Sequence, residues 1–146
     1  MSQEDAVAIA TWRYPPPYDF YDADADPDDL AELLDPRRRE GRYFSAWQDG
    51  GLIGFAHVAF ADGTADIGLG LRPDLTGRGL GTSYLEAVMA FAREGEKPAR
   101  FTLSVAAFNQ RAIRVYERAG FTVSRRYRHF SAGKTWDFLA MTRPER

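Results

Sequence analysis

Hydrophobic positions along this chain recur at two periods, and the switches between them divide it into elements. Near the N-terminus Ala6, Ile9, Ala10 and Trp12 fall on one helical face. They follow Ser2-Gln3-Glu4-Asp5, a capping box with Asp5 in place of the usual Glu or Gln. Pro15-Pro16-Pro17 is expected to stop this helix, because three consecutive residues lack N–H donors. A second helix starts near Asp26, which can cap it. Pro27 suits the first helical position, and Asp28 and Asp29 suit the positive end of the dipole. Leu30, Leu33 and Leu34 form its apolar stripe, and Pro36 ends it.

The period then drops to two. Residues 42–48, 52–60 and 65–72 read as an antiparallel meander turned at Asp49-Gly50-Gly51 and at Asp62-Gly63. Tyr84, Leu85, Val88, Met89 and Ala92 restore helical spacing, residues 94–98 close that helix, and Phe101, Leu103 and Val105 alternate as a strand. This strand–helix–strand unit makes its two strands parallel. A further helix runs over 109–119, with Asn109 as N-cap and Gly120 as its left-handed stop. Strands over 121–127 and 135–142, joined at Ser131-Ala132-Gly133, end the chain. The pattern predicts an α+β fold: a mixed, mostly antiparallel twisted sheet of six to seven strands with about four helices on its faces. Residues 1–146 form one domain in this reading, a length that buries roughly 70% of the unfolded surface without staples.

Composition narrows the chemistry. The chain has no cysteine, which excludes disulfides, thiolate metal sites and a cysteine nucleophile. His57 and His129 are its two histidines, too few for a histidine-rich metal site, so no metal is expected. The formal net charge of −2 argues against general nucleic-acid binding. Apolar runs are too short to span a membrane and the acidic start is not a signal peptide, so a cytoplasmic protein is expected. Charge is unevenly spread: residues 19–35 carry eight carboxylates and no Lys or Arg, whereas residues 97–146 carry eleven basic against three acidic residues. Either the two regions serve an anionic and a cationic ligand, or both are solvated surfaces that attract each other weakly.

Gly77, Gly79 and Gly81 lie between a strand and a helix. Alternate glycines let the backbone approach a ligand closely, and the helix start favours an anion, so the loop either binds phosphate or is simply a tight turn. No Gly-Lys-Ser/Thr occurs, and neither Gly68-Leu69-Gly70 nor Gly77-Arg78-Gly79 closes a GxGxxG, so the Walker and dinucleotide loops both fail.

The chain resembles the GNAT superfamily of N-acetyltransferases. The resemblance rests on Ile67-Gly68-Leu69-Gly70-Leu71-Arg72-Pro73, the loop Thr76-Gly77-Arg78-Gly79-Leu80-Gly81, and the spaced set Asn109, Ala112, Tyr116, Gly120 and Phe121. It is strong over residues 65–127. Thr76 departs from it, standing where the family usually has Arg or Gln, with Arg78 a candidate substitute. The resemblance implies a GNAT-like fold and acetyl-CoA as acyl donor. Main-chain groups of Leu69 and Leu71 would pair with its pantetheine arm, amides of residues 77–82 (Gly77, Arg78, Gly79, Gly81 and Thr82 among them) would hold its pyrophosphate, and Asn109 would contact the arm. Tyr116 would protonate the leaving thiolate.

Alternatives accompany these roles. Tyr116 could instead be a packed core residue, and Asn109 could simply cap its helix. Arg111, Arg114 and Arg118 share one helix face, which is either solvated or a contact for the adenosine 3′-phosphate. The attacking amine must lose a proton, to Asp66, to His57 or to water. Tyr18, Phe20 and Tyr21, set among carboxylates, are candidates for the acceptor site. Two functions follow: direct acetyl transfer to an amine of a small molecule or protein by a monomer or homodimer, or a non-catalytic CoA-binding module.

Overall fold

The computed structural model describes residues 1–131 and 133–145, so Ala132 of the expected last turn lies outside the described residues. Five helices and six strands follow one another: α1 (Gln3–Ala10), α2 (Pro27–Leu34), α3 (Pro36–Arg39), β1 (Tyr43–Gln48), β2 (Gly51–Ala61), β3 (Thr64–Leu71), α4 (Gly81–Gly95), β4 (Arg100–Ala106), α5 (Gln110–Arg118), β5 (Thr122–Ser131) and β6 (Lys134–Pro144). The strand count is the lower of the two expected. The extra helix, α3, is a single turn that the apolar pattern does not foretell, because three of its four residues are arginines. Pro36 both ends α2 and opens α3, and the Asp35 carboxylate accepts the Arg37 N–H at 3.0 Å.

Local chemistry sets the other boundaries. Ser2 caps α1 by accepting the Asp5 N–H at 3.0 Å, and Asp26 caps α2 by accepting the Asp28 N–H at 2.9 Å. The first helix ends at Ala10, before the prolines expected to stop it. There the Thr11 hydroxyl donates back to the Ala8 carbonyl at 2.6 Å and Arg13 donates to the carbonyls of Ala10 and Trp12, so side chains take over the terminal acceptors. Asp49 and Gly50, then Asp62 and Gly63, have φ between 51° and 78°, the left-handed pairs that suit two-residue hairpins.

The sheet order is β1-β2-β3-β4-β6-β5, and only β3 and β4 are parallel. The five residues of the α4 apolar stripe (Tyr84, Leu85, Val88, Met89 and Ala92) are all buried, packing with Ala65, Ile67, Phe101, Leu103 and Met141 of the sheet into one core. On the opposite face Ala6, Ile9 and Leu33 of α1 and α2 pack with Trp12, Leu52 and Phe55 into a second. Among the described residues no helix is long and apolar enough to cross a membrane.

One irregularity organises the rest. β3 and β4 pair only through Thr64–Asp66 and Arg100–Thr102. From Ile67 onward β3 keeps its bonds to β2 and β4 keeps its bonds to β6, while the two strands part from each other.

Candidate active site

The parted strands open a cleft of about 470 Å³ beneath the start of α4 and beside α5. One wall is β3. The Arg72 N–H bonds the Ile53 carbonyl of β2 at 2.8 Å, so by alternation the main-chain groups of Leu69 and Leu71 face the open side. The roof is the glycine loop, where Gly77 and Gly79 have φ of +73° and +77°, a region in which a side chain is strained. The amides of Gly77 through Thr82 have no acceptor among the described residues. Leu80, the residue before α4, offers no side-chain cap. A helix start with free donors is an anion seat.

The other wall is α5, and it brings Asn109, Arg111, Arg114, Tyr116 and Arg118 to the cleft. Asn109 caps the helix, its Oδ1 accepting the Ala112 N–H at 3.2 Å. The three arginines are exposed, and all three border the cleft. Arg111 stands closest to the loop: a Cβ on Gly77 would lie 3.3 Å from its Nη1. Thr76 offers no guanidinium and spends its hydroxyl proton on the Pro73 carbonyl at 2.7 Å. Arg78 and Thr82 do not line the cleft, whereas Leu69, Leu71, Gly77, Gly79 and Gly81 do.

Tyr116 lies on α5 between the core and the cleft. Its ring packs against Phe121 with centroids 6.2 Å apart, and the residue lines the cleft. Its hydroxyl makes no hydrogen bond among the described residues. Burial, reinforced by the nearby Tyr21, pushes its pKa well above the ordinary tyrosine value, so the hydroxyl stays a proton donor.

The opposite face of the sheet holds the proton-acceptor candidates. Asp66 is exposed, accepts from the Thr102 hydroxyl at 2.8 Å and occupies the last paired position before the strands part. His57 sits on β2 opposite Gly68, its ring 5.0 Å from Tyr43. Burial lowers its pKa, with Asp66 pulling the other way, so it is neutral at neutral pH. Neither residue lines the cleft.

The aromatic segment before α2 is fastened across the gap. The Tyr14 hydroxyl donates to the Leu71 carbonyl at 2.7 Å. The Tyr21 hydroxyl accepts from the Ala106 N–H and from Asn109 Nδ2, both at 3.3 Å. Tyr18 lies under the Arg111 guanidinium, 4.2 Å from its ring centroid. Phe20 packs on Trp136, with centroids 4.5 Å apart. Of the three expected acceptor residues, Phe20 and Tyr21 line a second cavity on this face and Tyr18 does not. Sequence reasoning missed Tyr14: its partner is 57 residues away, and only its place in the aromatic segment hinted at a role.

A parted parallel pair, a glycine-bent loop with free amides and a half-buried tyrosine thus lie together around one cleft. The acetyltransferase (GNAT) family profile matches residues 5–121. The chain therefore belongs to that family and is an acetyl-CoA-dependent N-acyltransferase. Similar solved structures include spermidine N-acetyltransferase from Vibrio cholerae in complex with CoA and spermine (18% identity, 99% of this chain and 92% of that one, TM-score 0.77). An aminoglycoside acetyltransferase in complex with coenzyme A is 20% identical over 99% of this chain and 91% of that one, with TM-score 0.74. A GNAT-family acetyltransferase from Bacillus anthracis is 15% identical over 99% and 91%, with TM-score 0.72. No curated protein matches the chain in sequence.

Proposed function

We propose that the cleft residues take the acyl donor and that acetyl transfer to a primary amine occurs through the gap between β3 and β4. The observation that carries this reading is the parting of those strands beyond Asp66, directly beside the free amides of the glycine loop. Acetyl-CoA supplies an activated acetyl group and a thiolate leaving group. The main-chain groups of Leu69 and Leu71 bind the pantetheine arm as an added strand would, with the Leu71 carbonyl already accepting from Tyr14. The amides of residues 77–82 hold the pyrophosphate, and Arg111 takes the place that Thr76 leaves empty, with Arg114 and Arg118 available to the 3′-phosphate. Asn109 contacts the arm.

The acceptor approaches from the α1–α2 face, where Gly68 and Gly70 leave β3 without side chains. His57 takes the proton of the amine through water, supported by the Asp66 charge. A β3 main-chain N–H stabilises the carbonyl oxygen, and Tyr116 protonates the departing thiolate. A chain without cysteine cannot carry the acyl group on a thiol, which favours direct attack in a ternary complex. The CoA-and-spermine complex of the Vibrio cholerae enzyme supports an amine as acceptor. We place the reaction in the cytosol, the compartment of an acetyl-CoA donor.

Tyr116→Phe tests the assignment. Turnover falls about 10²-fold while the KM for acetyl-CoA stays within about twofold. Because burial raises the hydroxyl pKa, the acid form persists to higher pH, and wild-type turnover shows no alkaline fall below about pH 10. An undiminished rate in the variant removes Tyr116 from the mechanism.

A further inference from the structure

The second cavity, of about 320 Å³, lies on the α1–α2 face and reaches the strand gap from the side opposite the donor cleft. Two of its lining residues fix that position: the hydroxyls of Tyr14 and Tyr21 touch the Leu71 carbonyl and the Ala106 N–H, on the two sides of the gap. Its walls are mainly aromatic, with Trp12, Phe20, Phe55 and Phe138 prominent. No lysine or arginine lines it, and its carboxylates are Asp22 and Asp29.

The two carboxylates differ. Asp29 has an exposed surface, yet burial raises its pKa first and the neighbouring Asp26 and Glu32 second, with His129 of the same cavity opposing them. Asp22 is half-buried, and one of its oxygens accepts the Tyr14 N–H at 2.9 Å. Its other oxygen has no hydrogen-bond partner among the described residues. Asp22 lines the cavity together with Tyr14 and Tyr21, whose hydroxyls meet the two sides of the gap, and it is bonded to Tyr14 directly.

An extended polycation needs carboxylates spaced along its length, whereas the wall of this cavity is mainly aromatic and carries two, Asp22 and Asp29. Apolar and aromatic walls gain most from an apolar or aromatic body, and they also stabilise a single cation over a ring face. Building on the transfer reading above, we propose that this cavity takes a compact primary amine with an aromatic or branched apolar body, and that Asp22 seats its ammonium group at the strand gap.

The experiment pairs kinetics with direct binding, using phenethylamine and spermidine as probes. Wild-type kcat/KM is at least about tenfold higher for phenethylamine. Equal values, or a preference for spermidine, overturn the assignment. Asp22→Asn keeps an acceptor for the Tyr14 N–H and removes only the charge. It raises the KM for phenethylamine about tenfold and leaves CoA binding by calorimetry unchanged; an unaltered amine KM removes Asp22 from the site. Phenethylamine is also titrated into the free protein and into its CoA complex. CoA binding without phenethylamine binding to either form defeats the cavity proposal and leaves the transfer reading intact. If CoA itself fails to bind, the transfer reading falls, while phenethylamine binding to the free protein still decides the cavity.

Discussion

Asn109 joins the two halves of the site through one side chain. Its carbonyl oxygen caps α5 and its amide nitrogen donates to Tyr21, so the helix that carries Tyr116 and the segment that borders the proposed acceptor cavity share an anchor. The two bonds separate by substitution. Asn109→Ala loses both and lowers stability by about 1 kcal/mol, the ordinary worth of an N-cap. Asn109→Asp keeps an oxygen for the Ala112 N–H and holds most of that stability. Thermal melts compare them; equal losses in the two variants show that the cap is not what the side chain contributes. At this scale the cap was legible, because an Asn before a helical period is a local signal. The Tyr21 bond was not, since it spans 88 residues and leaves no trace in spacing. The unoccupied oxygen of Asp22 was equally hidden.

At the scale of elements, the pairing of β2 with β3 is closer than a side chain would permit. A Cβ on Gly54 would lie 2.6 Å from the Gly70 carbonyl oxygen and 2.7 Å from the Tyr84 hydroxyl. That hydroxyl donates to the Phe55 carbonyl at 2.6 Å and ties α4 to β2. Backbone cannot yield as a flexible side chain can, so Gly54→Ala forces the strands apart and strains the Tyr84 bond. We expect a loss of about 1–3 kcal/mol, read as a lowered Tm, and an unchanged Tm contradicts this packing. The apolar stripe of α4 and the Asp-Gly turns were readable because each depends on neighbours in sequence. The parting of β3 from β4 was not readable. Ile67, Leu69 and Leu71 go on alternating past the last paired residue, and that alternation records packing against the helix layer, not bonding to the next strand.

Across the whole molecule, charge is sorted by the sheet. The acidic stretch of residues 19–35 supplies Asp22 and Asp29 to the cavity on one face, and the basic C-terminal part supplies Arg111, Arg114 and Arg118 to the cleft on the other. Of the two sequence readings of that asymmetry, the ligand-directed one gains support from this placement. On the proposed reading, an anionic donor and a cationic acceptor would each be drawn to their own side and meet where the strands part. The measurement that tests this account most directly is a calorimetric titration with CoA at low and at high ionic strength, accompanied by a thermal melt. Saturable one-to-one binding that weakens as salt screens the arginines is expected, with about 2.7 kcal/mol of stabilisation when CoA reaches 100 times its Kd. Absence of saturable heat, with a Tm that millimolar CoA leaves where it was, would contradict it.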